Sequence, residues 1–129
     1  MKPNLVLPVT SLLSILLASF HLADDIVYGS EKGVTSNILM AVILALWLYG
    51  TLVLSERRSG QAIMLLGSLL GLTVFFVHLM GTGGLAGIRL GELSGPFFFV
   101  WTLLALAVVS LVSLALSALG LWRSLRAAN

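Results

Sequence analysis

Apolar residues in this chain come in long unbroken runs and not in alternation. Four runs, residues 5–22, 36–54, 61–80 and 96–122, contain no aspartate, glutamate, lysine or arginine. A helix needs roughly 20 apolar residues at 1.5 Å rise each to cross a bilayer, and every run is about that long or longer. Strands of a membrane barrel would alternate over about ten residues, which these runs do not do. The pattern predicts an all-α chain, an integral membrane four-helix bundle forming a single domain over residues 1–129. Punctuation between the runs agrees. Thr35 and Ser36 are candidate caps for the second helix, and Pro96 after Ser94-Gly95 suits the first turn of the fourth.

The polar residues that interrupt the runs are not scattered. Ser11, Ser14, Ala18, His21 and Asp25 recur at spacings of three and four on the first segment. Gly67, Gly71, Val74, His78 and Gly81 do so on the third, and Ser110, Ser113, Ser117 and Gly120 on the fourth. Each set marks one helix face. Small residues favour close helix contact in lipid, where larger apolar side chains gain nothing by leaving the acyl chains. These faces are expected to point into the bundle and to carry both histidines there.

Composition excludes the soluble alternative. The chain is 59% hydrophobic and 9% charged, whereas soluble domains carry about a quarter charged residues. Without cysteine it has no disulfide framework, thiolate metal site or redox thiol. Its seven basic residues are dispersed, so they make no nucleic-acid footprint; the bilayer is the expected partner, with a homo-oligomer or larger membrane complex open.

The same charges predict orientation. In a four-span chain the N-terminus, second loop and C-terminus share a side, which holds Lys2, Arg57, Arg58, Arg123 and Arg126. The opposite side holds Lys32 and Arg89 against Asp24, Asp25, Glu31 and Glu92. Five basic residues against two put both termini in the cytoplasm, and both histidines near the outer face of a bacterial inner membrane. The first segment reads as an uncleaved anchor. Leu17-Ala18-Ser19 is the nearest approach to a signal-peptidase site.

Chemistry, where present, should gather at that outer mouth. His21 can meet Asp24 or Asp25 if the first helix runs one turn past its apolar segment. The first and third helices run in the same direction, which brings His78 to similar depth. Glu92 and Arg89 stand in the glycine-rich loop above, residues 81–95. Candidate ligand-binding residues are therefore His21, Asp24, Asp25, His78 and Glu92, with His21, Asp25 and His78 the metal-ligating subset. Two imidazoles and a carboxylate suit a divalent ion such as zinc or iron. Haem held between the histidines fits less well, since one of them sits at a helix margin. A purely structural reading competes with these: a polar turn near the headgroups needs no ligand, and His78 could bond a serine or a carbonyl.

Such a mouth also suits a membrane enzyme or redox protein acting on a lipid, quinone or haem, or a structural subunit of a membrane complex. Nucleophilic catalysis has little support, because no base stands beside the serines.

The stretch His21-Leu22-Ala23-Asp24-Asp25-Ile26-Val27-Tyr28-Gly29, with the Ser55-Glu56-Arg57-Arg58 turn and the Gly95-Pro96-Phe97-Phe98-Phe99 entry, resembles small four-helix bacterial integral membrane proteins. Their first helix ends in a similar His-x-x-Asp-Asp-Ile stretch. They have no assigned activity, so the resemblance implies topology and supplies no mechanism.

Overall fold

The computed structural model describes residues 5–27, 33–80 and 96–126. They form four helices: α1 (Val6–Val27), α2 (Val34–Leu52), α3 (Arg58–Met80) and α4 (Pro96–Arg126). Each is long and apolar enough to cross a membrane. Helix α4, with 31 residues, is about 46 Å long and exceeds a hydrocarbon core of roughly 30 Å.

Boundaries differ from the sequence expectation at most helix ends; α2 closes at Leu52 and α3 opens at Arg58, against expected residues 54 and 61. Helix α1 continues to Val27 and takes Asp24 and Asp25 into its last turns. Nothing in Ala23–Val27 breaks a helix, and Asp25 lies one turn beyond His21 on the same face. Helix α4 likewise runs on through Arg123 to Arg126, since arginine is a good helix former. At the start of α2 the cap position is Gly33, with no side-chain cap bond, so Thr35 and Ser36 lie inside the helix. Pro96 opens α4 as its fixed φ favours.

Contacts define an up-and-down bundle. His21 near the end of α1 meets His78 near the end of α3 and Phe99 at the start of α4. At the opposite end Ser11 of α1 meets Thr51 of α2, and Arg58 Nη2 donates to the Ser124 carbonyl 2.7 Å away. Helices α1 and α3 therefore run one way, α2 and α4 the other. Among the described residues α2 packs on α1 and α3 only and makes no close approach to α4.

The core is unusual in being built largely from hydroxyls. Ser11, Ser14, Thr51, Ser68, Ser110, Ser113 and Ser117 are buried alongside Met64, Leu103 and Leu106. Small side chains let the backbones approach, and most hydroxyls bond a carbonyl one turn back, as Ser68 does to Met64 and Ser117 to Ser113. Ser110 donates to Ser14 Oγ across 3.4 Å, tying α4 to α1. A closed circuit joins α1 to α2. Trp47 Nε1 donates to Ser11 Oγ at 2.9 Å, Ser11 donates to Thr51 Oγ1 at 2.8 Å, and Thr51 donates to the Trp47 carbonyl at 2.9 Å. The Trp47 indole lies against Gly67, where any Cβ would strike the ring, and Gly71 similarly admits Ser110.

The outside is the inverse of a soluble surface. Leucine, valine, isoleucine and phenylalanine side chains are exposed along all four helices. Continuous apolar exposure on this scale marks a surface that faces something other than water.

Candidate metal centre

His21, Asp25 and His78 meet at one end of the bundle. The α1 face that carries Ser11 and Ser14 inward carries His21 and Asp25 inward too, leaving them 3% and 8% exposed. His21 Nε2 stands 3.5 Å from Asp25 Oδ2 along the helix. His78 Nε2 stands 3.6 Å from Asp25 Oδ1 across to α3. Phe99 closes the far side, its ring centroid 4.7 Å from that of His21 and 5.5 Å from that of His78.

The His78 tautomer follows from its neighbour. Nδ1 lies 2.9 Å from the Val74 carbonyl, which can only accept, so Nδ1 carries the proton. In the neutral ring Nε2 then presents a lone pair to the Asp25 carboxylate, which also has only lone pairs to offer. His21 repeats the problem. Neither of its ring nitrogens, nor Asp25 Oδ1, has a hydrogen-bond partner among the described residues. A buried ionised carboxylate without compensation costs several kcal/mol even after relaxation, so Asp25 is relieved either by a proton, on its own carboxyl or on a neighbouring imidazole, or by a bound cation.

The spacing is wider than that of a tight ion pair and, over the whole group, wider than that of a closed metal site. A proton shared between imidazole and carboxylate draws nitrogen and oxygen to about 2.7–2.9 Å. Both observed gaps are wider. Tetrahedral ligands bound at 2.0–2.2 Å lie about 3.3–3.5 Å from one another. One ligand atom from each of the three residues lies within 4.8 Å of the other two. The three residues offer the donor set of a divalent transition-metal site, and a bound ion would draw them closer together. The Val74 carbonyl would fix the His78 ring as outer-shell acceptors do in known sites.

Haem does not fit between the two histidines. The rings touch edge to face, with centroids 4.5 Å apart, and leave no room for a macrocycle. Asp24 is half-buried and stands outside the group, because it projects about 100° round the helix from Asp25. Glu92 and Arg89 lie outside the described residues.

No family model, curated protein or solved structure matches the chain. Its chemistry is therefore read from the side chains themselves.

Sequence reasoning missed what lies beside these three residues. A cleft of about 230 Å³ leads from them into the space between α2 and α3, and Trp47 lies against its deeper part. The α2 segment is apolar all round, so no periodicity singled out the face that lines it. Phe99 belongs to the run Phe97 to Phe99, which by pattern suits either a pocket lining or the interfacial aromatic belt.

Proposed function

We propose that the protein is a multi-pass bacterial inner-membrane protein with both termini cytoplasmic, and that it holds one divalent transition-metal ion, zinc or iron, at its outer mouth. His21, Asp25 and His78 are the ligands. The observation that carries this reading is the convergence of three lone-pair donors, two buried and one half-buried, within 4.8 Å of one another, with the His78 tautomer set by Val74. Four helices of spanning length with apolar exteriors support the membrane setting. The basic residues beside the Ser55–Arg58 turn and after Trp122 support the orientation.

The measurement is metal content by mass spectrometry of protein purified in detergent without added chelator. Wild type should carry one metal per chain. His78→Ala and Asp25→Asn should each lose it while remaining helical and monodisperse. Equal metal in the wild type and in both variants would remove the assignment.

A further inference from the structure

The cleft beside the ligands has two unlike ends. His21, Asp25 and His78 line one, and the rest is walled mostly by apolar side chains, among them Leu22 of α1, Met40 and Leu44 of α2 and Leu70 of α3, with Ser36 and Thr73 the polar exceptions. It extends from the level of His78 to that of Gly71, about 10 Å along α3. Val77 lines it too and is exposed, so the cleft opens on the flank of the bundle. At about 230 Å³ it falls below the roughly 300–1,000 Å³ of ordinary small-molecule pockets. A slim chain suits that space and a fused ring system does not.

Charge selects the head. A divalent ion held by two neutral imidazoles and one carboxylate retains a single positive charge. Three protein ligands leave a tetrahedral ion one coordination position. In a buried apolar site a net charge is costly, so the favoured fourth ligand is a monoanionic oxygen donor. We infer that the cleft takes a single-chain lipid carboxylate, whose head completes the metal's coordination and whose chain lies between α2 and α3. This rests on the metal reading above.

The experiment uses the full chain in lipid nanodiscs, loaded with zinc, and a dodecanoate probe carrying a photoreactive diazirine near its methyl end. Adducts are expected within residues 40–47 and 70–77, competed by dodecanoate and not by dodecanol. Chelation should abolish labelling and zinc should restore it. Leu44→Trp fills the cleft from its least constrained wall and should cut labelling about tenfold, a loss of roughly 1.4 kcal/mol, with zinc content unchanged. Met40→Phe serves the same purpose if Leu44→Trp does not fold. Zinc bound without labelling, or labelling indifferent to both cleft variants, overturns the lipid inference and leaves the metal site standing. Equal competition by dodecanol overturns the carboxylate head. If wild type binds no zinc, the metal reading fails, and labelling that persists under chelation shows that no metal anchors the probe.

Discussion

His78 faces Asp25 across 3.6 Å from a helix that enters the chain thirty residues later, while its other ring nitrogen is held by Val74 within its own helix. One side of the imidazole is thus fixed and the other is directed at a carboxylate. Replacing His78 with glutamine keeps a polar side chain there and removes the imidazole. We expect His78→Gln to lower metal affinity about 100-fold or more, read by competition with a chromophoric chelator. An unchanged affinity would mean that Nε2 is not a ligand.

Proton competition gives the second prediction. A ligating imidazole must be neutral and a ligating carboxylate ionised, so binding releases protons and acid reverses it. Retained metal should fall as pH is lowered from neutral, and Asp25→Asn should retain little at any pH. A flat profile in the wild type would contradict coordination by these groups.

The Trp47–Ser11–Thr51 circuit gives a third. Ser11→Ala leaves the buried Trp47 N–H without its acceptor, which should destabilise the fold by about 1 kcal/mol. Ser19 bonds only the Ile15 carbonyl in its own helix, so Ser19→Ala should change stability by a few tenths of a kcal/mol. Denaturant titration of both variants checks the contrast; equal losses would deny the circuit any special role.

Close packing gives a fourth. Any side chain at Gly67 meets the Trp47 indole, so Gly67→Ala should separate α2 from α3 and cost about 1–3 kcal/mol. Thermal unfolding measures it. A gain in stability, as expected for alanine at an uncrowded helical position, would show that the ring moves aside freely.

The native absence of cysteine makes the last prediction direct. Ser30→Cys should react with a membrane-impermeant maleimide applied to whole cells, and Ser59→Cys only after permeabilisation. The reverse result would invert the orientation expected from the basic residues.

Helix count and inward faces were legible because they depend on local pattern. Charge-free runs set the helices, and the spacing from Ser11 to Asp25 set the buried stripe of α1. Convergence of His21 with His78 was legible only as a consequence of two parallel helices. Helix ends were less so: Asp24 and Asp25 look like loop residues by polarity, yet helix geometry tolerates them where Asp25 has partners across the bundle. The cleft was not legible at all. It arises from how far α2 stands from α1 and α3 above Trp47, and an evenly apolar segment carries no record of that distance.

Helix α2 carries none of His21, Asp25 and His78 and, among the described residues, none of the bonds that tie α1 to α4. Its inner half is held to α1 by the Trp47–Ser11–Thr51 circuit and to α3 at Gly67, so local opening with the other three helices assembled is confined to its outer half. Hydrogen exchange should find its amides protected least among the helix interiors. Metal residence and lipid turnover would then run on separate clocks, the first set by α1 and α3, the second by the excursions of α2.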